Sequence, residues 1–282
     1  KPEHDKFPGA DTTTTVEALM PDGKSVQGGT SHYLGTSFAE AFDITYVDTD
    51  ERERTAHTTS WGLSWRAIGA LIMTHSDDQG LVLPPALADP QVVIVPIWGA
   101  DDRETVLEYA ADVESTLSET GVRVDLDDRG NRNPGFKYNE WELKGVPLRV
   151  EVGPNECADG TATLVHRPDG ETDTVDRDGL ADTVQEHLDT VHAKLYASAE
   201  ETLEGGVREA ESREEILGTI GQHGGYVRCG WCGGAACEEP IKDAIAAEIV
   251  MVPLDRDEEP VQQDCAICGE EATETAYFAR TY

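Results

Sequence analysis

The stretch from Gln27 to Pro85 constrains this chain more than any other. It opens with QGGTSH at Gln27–His32 and closes with SWGLSWRAIGALIMTHSDDQGLVLPP at Ser60–Pro85. Gly28 and Gly29 would let a backbone come close to a ligand or take positive φ. The amide, hydroxyls and imidazole around them hydrogen-bond in fixed directions. Arg66 stands at the head of an apolar helical run, Ala67 to Met73. A guanidinium at the edge of a buried segment calls for an anion, and its planar fork suits phosphate. The competing reading is an ordinary turn followed by a solvated arginine. No G-x-x-x-x-G-K-[ST] loop occurs, so phosphate binding of that type is excluded.

Residues 1–10 read as a polar loop in which Phe7 stands alone, and the β-branched run Thr12–Met20 reads as a strand. PDGK at Pro21–Lys24 is a turn, and Ser25–His32 returns as a second strand. Further strands are expected at Asp43–Val47 and Thr58–Ser64, with TDERERT between them as a charged turn. Trp61 is either a flat wall for a ligand or a core aromatic. If the last strand persists, Ser64 and Arg66 face the same side.

After a linker at Ala86–Pro90 the pattern changes. QVVIVPI at Gln91–Ile97 is the continuous apolar run of a strand covered on both faces. Asp101–Thr120 is an amphipathic helix with Val106, Leu107, Ala110, Val113 and Leu117 on one side. Strands at Val122–Leu126, Val146–Val152 and Thr161–Val165 alternate with helices at Gly135–Leu143 and Gly179–Thr202, which argues an α/β sheet layered by helices. A helix break after Leu203 begins a third unit, with a helix at Ile241–Ile249 and a strand at Val250–Leu254. The expected division is 1–88, 89–203 and 204–282.

Charge narrows the function. The chain carries 22 Lys+Arg against 56 Asp+Glu, a formal charge of −34, yet 38% of its residues are hydrophobic and periodic segments are clear. Such a surface repels itself and nucleic acid in dilute buffer. A cytoplasm at very high salt reconciles the two, because the Debye length there falls to about 3 Å; the composition therefore predicts a halophilic archaeal source, with a merely acidic mesophile protein as the rival reading. Against that background, Arg129, Arg132, Lys137, Lys144 and Arg149, interleaved with Phe136, Tyr138 and Trp141, form a local basic stretch that points to a nucleic-acid contact. The other reading is a chance cluster on a solvated face. No signal peptide and no run long enough to span a membrane is visible.

Five of the six cysteines follow Gly225: Cys229, Cys232, Cys237, Cys265 and Cys268. Two pairs at this separation fit a tetrahedral thiolate zinc site. The spacing leaves Cys229–Cys232 and Cys232–Cys237 both open as the first pair, with disulfides as the rival arrangement. Cys157, far from the others, reads as a small buried apolar residue.

Taken together, QGGTSHYLG, TSWGLSWRAIGALIMTHSDDQGLVLPP and PGFKYNEWELKGVPLRVEVGPN resemble the C-terminal part of the prolyl-tRNA synthetase family, of the archaeal/eukaryotic type. The resemblance runs from about Lys6 to Tyr282 and its motifs are long. It implies a multidomain α/β and α+β chain: part of a class IIa antiparallel-sheet catalytic domain (1–88), an α/β anticodon-binding domain (89–203) and a small zinc-binding domain (204–282). It implies a cytoplasmic homodimeric ligase that activates proline with ATP and magnesium and charges proline tRNA. It assigns Gln27, Thr30, Ser64 and Arg66 to ATP, with Arg66 catalytic, and Phe7, His32 and Trp61 to proline. It gives base reading to Tyr138, Glu142 and Arg149, where the family usually has phenylalanine at the place of Tyr138. It selects Cys232, Cys237, Cys265 and Cys268 for zinc and leaves Cys229 as an extra thiol. Tyr282 matches a C-terminal tyrosine that the family turns toward its active site. The earlier family motifs lie outside these residues, so the chain alone is expected not to activate proline. The alternative is a tRNA-binding module that kept the fold without catalysis.

Overall fold

The computed structural model describes residues 1–254 and 262–282, and the chain divides into two compact units, 1–70 with 201–282, and 71–200. In the first segment the threonine-rich run forms β1 (Thr12–Leu19) and returns as β2 (Ser25–Gly35). The PDGK turn closes with the Gly23 N–H donating to the Met20 carbonyl at 2.8 Å, Gly23 taking φ +78°. A short helix α1 (Ser37–Ala41) follows. Then β3 (Thr45–Val47) and β4 (Glu53–Thr55) pair as an antiparallel ribbon. The expected charged turn is present but shorter, because Glu53–Thr55 join the ribbon: Thr45 Oγ1 donates to Glu53 (2.6 Å) and Arg54 bonds Asp48 (2.6 Å), so the charges fix it. Strand β5 (Thr58–Leu63) pairs with the far side of β2, giving an antiparallel sheet in the order β1-β2-β5.

Helix α2 (Arg66–His75) starts where the apolar run begins, but none of its residues is buried, which corrects the expectation that Arg66 caps a buried segment. The strand also ends at Leu63, so Ser64 and Arg66 are not held two apart on one strand.

Unit 71–200 is built on β6 (Val92–Pro96), α3 (Arg103–Glu119), β7 (Val124–Leu126), α4 (Pro134–Lys144), β8 (Leu148–Val152), α5 (Pro154–Asp159), β9 (Thr161–His166), β10 (Thr172–Asp176) and the main part of α6 (Leu180–Gly205). The sheet runs β10-β9-β8-β6-β7, with β6 parallel to β7 and β8, and β9 antiparallel to β8 and β10. Strand β6 is buried on both faces, as its unbroken apolar sequence requires. Val106, Ala110, Val113 and Leu117 form the buried stripe of α3, and Leu180, Val184 and Leu188 that of α6. Helix α4 begins with Asn133 accepting from the Phe136 N–H (2.8 Å) and ends at left-handed Gly145.

The last segment carries β11 (Val207–Glu209), α7 (Arg213–His223), β12 (Tyr226–Trp231), α8 (Glu239–Ile245), β13 (Ala247–Met251) and β14 (Glu274–Arg280), with sheet order β11-β12-β14-β13. Two expected boundaries move. Helix α6 runs on through Leu203 to Gly205, and α8 stops at Ile245, where Ala246 turns left-handed (φ +54°) and Ala247–Met251 pairs with β14. Burial of Ile249 and Val250 in the sheet outweighs the helical reading of the alanines before them. This segment joins the first one: the Gly225 N–H donates to the Gly23 carbonyl (2.8 Å), and Ser25 Oγ meets the Tyr226 hydroxyl (3.0 Å).

Candidate functional site

The β1–β2 register slips once, between Val16 and Glu17, and Gly28 is the unpaired residue: Val16 faces Gly29, and Glu17 faces Gln27. A bulge of this kind inserts one residue into one strand. Its effect is to put Gln27 on the same face as Thr30 and His32, together with Glu17, Thr15 and Thr13. Without it, strict alternation would turn Gln27 to the other side. Neither Gly28 nor Gly29 has positive φ, contrary to one of the two uses expected for them. Gly29 is needed for packing, since a Cβ there would lie 3.3 Å from the Gly62 carbonyl.

Gln27, Gly28, Gly29, Thr30, Gly62, Leu63, Ser64 and Arg66 line one concavity. Gly62 pairs with Thr30, and a Cβ at Gly62 would meet nothing, so the space above Thr30 is open. The Ser64 N–H and Oγ both donate to the Gly28 carbonyl, at 3.0 and 3.2 Å, and this fixes the turn that delivers Arg66. Arg66 is exposed and has no hydrogen-bond or ion-pair partner among the described residues.

His32 lies further along the same face. Buried Thr13 orients it: Thr13 Oγ1 accepts from the Phe7 N–H (3.0 Å) and shares a hydrogen bond with His32 Nδ1 (3.0 Å). The Phe7 ring lies 4.8 Å from the imidazole, centroid to centroid. Trp61 does not join them. It pairs with Ser31, shares the opposite face with Thr14 and Leu63, and is 79% exposed.

Helix α4 and strand β8 bring Tyr138, Glu142 and Arg149 together. The Arg149 guanidinium lies 4.0 Å from the Tyr138 ring centroid, donates from Nη1 to Glu142 (2.8 Å) and from Nε to Glu151 (2.9 Å). Burial, then the Glu151 carboxylate, pushes the Tyr138 hydroxyl well above its usual range. The charges of the basic stretch are mostly paired with carboxylates. Lys137 is 1% exposed, donating to the Asp127 carbonyl at 2.7 Å, and its burial lowers the ammonium pKa. Arg129 bridges Asp127 and Glu140, and Lys144 pairs with Glu140. Arg132 is exposed and lies over the Phe136 ring at 4.3 Å. Asp127, which no motif marks, is the centre of this network: it takes bonds from Arg129 and from Trp141 Nε1 (2.9 Å), and against its burial these hold its carboxyl far below the usual range. Trp141 is thereby buried rather than offered for stacking.

Cys232, Cys237, Cys265 and Cys268 converge, their sulfurs all within 4.8 Å of one another, and none forms a disulfide. The Cys232–Cys237 and Cys232–Cys268 sulfurs are 3.6 and 3.7 Å apart. Four thiolates about 2.3 Å from a tetrahedral zinc are separated by about 3.8 Å, so the spacing fits that ion. Burial raises the Cys265 thiol, but backbone N–H groups of Cys268, Ile267 and Cys232 outweigh it and bring the group down to about 7. Cys229 lies outside the quartet, paired with Ala276 in the sheet, and burial pushes it up to about 12. The four clustered thiols can hold a metal ion.

Residues 91–187 match a family model described as the anticodon binding domain. The chain thus carries an anticodon-binding domain, with the α4–β8 cluster inside it. Residues 213–282 match the model described as the C-terminal part of prolyl-tRNA synthetase. It is 79% identical over its whole length to the proline–tRNA ligase of Haloarcula marismortui and 72% identical to that of Natronomonas pharaonis. The proline–tRNA ligase of Cenarchaeum symbiosum is 43% identical. In each case the match covers all of this chain and 58% of the relative. Among the described residues no helix is long and apolar enough to cross a membrane.

Proposed function

We propose that the chain is the C-terminal part of a proline–tRNA ligase. Residues 1–88 form part of a class II catalytic domain, 89–203 bind the anticodon, and 204–282 form a zinc-binding domain. The observation that carries the reading is the gathering of Gln27, Thr30, Ser64 and unpartnered Arg66 around one concavity, with Phe7 and His32 on the same face of the sheet.

ATP occupies the concavity. Gln27, Thr30 and Ser64 hydrogen-bond the nucleotide, and Arg66, with the magnesium that accompanies ATP, draws charge from the phosphates. Proline rests against Phe7, with the His32 imidazole as a hydrogen-bonding group beside it. Trp61, on the reverse face, takes part in proline binding only if that face is also used. A proline carboxylate oxygen attacks the α-phosphorus, the bond to pyrophosphate breaks, and prolyl-adenylate forms. The terminal ribose hydroxyl of proline tRNA then takes the prolyl group and AMP leaves. Chemistry of this kind depends on positioning and charge stabilisation. Tyr138, Glu142 and Arg149 read unpaired anticodon bases by stacking and edge contacts. Zinc, held by Cys232, Cys237, Cys265 and Cys268, is structural, because four thiolates leave no open position. The ligase works as a homodimer in a salt-rich cytoplasm.

The test is amino-acid-dependent ATP–pyrophosphate exchange by the complete gene product in molar KCl, with all twenty amino acids. Exchange with proline alone is expected. Exchange driven by another amino acid, or none with proline, would overturn the reading.

A further inference from the structure

A second cluster lies at the β9–β10 hairpin, where His166 pairs with Leu148 of β8, and it uses none of the residues assigned above to ATP, proline, the anticodon or the cysteine quartet. His166 ends β9 and is 4% exposed. Its Nε2 shares a 2.6 Å hydrogen bond with His187 Nδ1, from α6. Its other nitrogen, Nδ1, is buried and has no hydrogen-bond partner. That nitrogen is aimed at the hairpin turn, 4.0 Å from an Asp169 oxygen, and ligand atoms of His166, Asp169 and Glu171 all lie within 4.8 Å of one another.

The tautomer follows from these contacts. With no acceptor in bonding range of Nδ1, the ring proton belongs on Nε2 and is donated to His187. Nδ1 then presents a lone pair to two carboxylates. Three electron-rich groups facing one another require a cation. At present Lys194 supplies it, its ammonium 2.5 Å from Asp169 and 2.6 Å from Glu171. An ammonium has only donors, yet no hydrogen bond joins it to Nδ1.

We propose that His166 Nδ1, Asp169 and Glu171 form a binding site for a first-row divalent transition-metal ion such as Zn²⁺, with Lys194 as its competitor. One imidazole and two carboxylates suit such an ion. The donors are held in place before binding. The His166 N–H donates to the Glu171 carbonyl (2.9 Å), the Gly170 N–H to the His166 carbonyl (3.0 Å), and the Glu171 N–H to Asp169 Oδ1 (3.0 Å). His187 supplies the outer contact that fixes a ligating imidazole, and its Nε2 in turn lies 3.5 Å from Asp173. Glu171 is the open side of the site, and Lys194, about one-third exposed on α6, is free to swing into water as the ion enters.

The experiment is equilibrium dialysis of the full chain against Zn²⁺ in molar KCl, with ions counted per chain, followed by titration. His166→Asn is expected to bind one ion fewer than the natural chain. Glu171→Gln, a change at an exposed residue that leaves the fold alone, should weaken that same ion about ten-fold or more. Lys194→Met should tighten it several-fold, which a purely structural lysine would not do. Equal ion counts in the natural chain and both His166→Asn and Glu171→Gln would overturn the site. Unchanged affinity in Lys194→Met would overturn the competition.

Discussion

In a chain with 56 acidic residues against 22 basic ones, an exposed guanidinium that meets no carboxylate needs an anion to account for it. Arg66 is in that position, four residues after Gly62 opens the space above Thr30. In the complete gene product, Arg66→Ala should lower kcat/KM for proline-dependent exchange by about 10²–10³-fold, the cost of removing one preorganised charge-stabilising donor. Arg66→Lys should recover only part of it, because a point charge cannot replace the fork. Full activity in Arg66→Ala would separate Arg66 from the chemistry. Asp77 shows the opposite arrangement. Buried Arg167 grips it with two bonds, 2.7 and 2.8 Å, and this, against some burial, lowers the carboxyl from 3.8 to about 2. The folded pKa is depressed, so the stabilisation is fully present above pH 3.8 and is lost as pH falls through about 2. Asp77→Asn should cost about 1–3 kcal/mol at pH 7, toward the lower end because the carboxylate is partly in water, and nothing below pH 2. Melting curves of both proteins across that range decide it, and a pH-independent difference would rule the pair out as the cause. Most of the site was legible as residue types in QGGTSH and WGLSWR. What was not legible is which face each residue takes. The bulge at Gly28 flips Gln27 into the company of Thr30 and His32, and no local pattern announces a one-residue slip. Trp61, grouped with His32 by likeness, sits one strand position away and therefore on the reverse face.

Among the elements, those with strong periodicity were read nearly to the residue. Helix α3 was expected at Asp101–Thr120 and spans Arg103–Glu119, because its apolar stripe leaves no other way to cover β6. Strand β10 (TDTVD) is polar and mostly exposed at the sheet edge, so alternation gave no signal for it. Strands β12 and β14 went unread because glycine and cysteine in the first and polar residues in the second hide their pairing, which long-range register supplies. The cysteine spacing was legible, yet it left two choices for the first pair. Geometry favours Cys232–Cys237, since Cys229 is spent on the sheet interior. Two substitutions separate the roles by metal analysis. Cys229→Ala should keep the full zinc content of the natural chain and cost stability only through lost packing. Cys237→Ser should lose about one zinc per chain and unfold residues 204–282 well before the rest, since structural zinc contributes folding energy directly. Loss of zinc in Cys229→Ala would reassign the ligand.

At the scale of the molecule, the grouping of residues 1–70 with 201–282 could not be foreseen. It rests on contacts between positions about two hundred apart, such as Ser25 with Tyr226, and not on any local pattern. The charge, by contrast, was plain from the start. The structure shows how it is arranged: the basic residues of the anticodon-binding region are mostly tied to carboxylates, and Lys1, Lys24, Lys194 and Lys242 are paired as well. With 56 acids against 22 bases, 34 negative charges are left without a compensating positive one. Added salt therefore acts in two directions. It weakens surface ion pairs, each worth about 0–1 kcal/mol, and it screens repulsion among the excess carboxylates as the Debye length falls from about 30 Å at 0.01 M to about 3 Å at 1 M. The pairs are local and few, whereas the repulsion is summed over the whole surface, so screening should win. The melting temperature is expected to climb steadily from dilute buffer to molar KCl, and to climb similarly in NaCl if screening is the cause. A chain most stable in dilute buffer would show that its ion pairs, and not its excess charge, govern the balance.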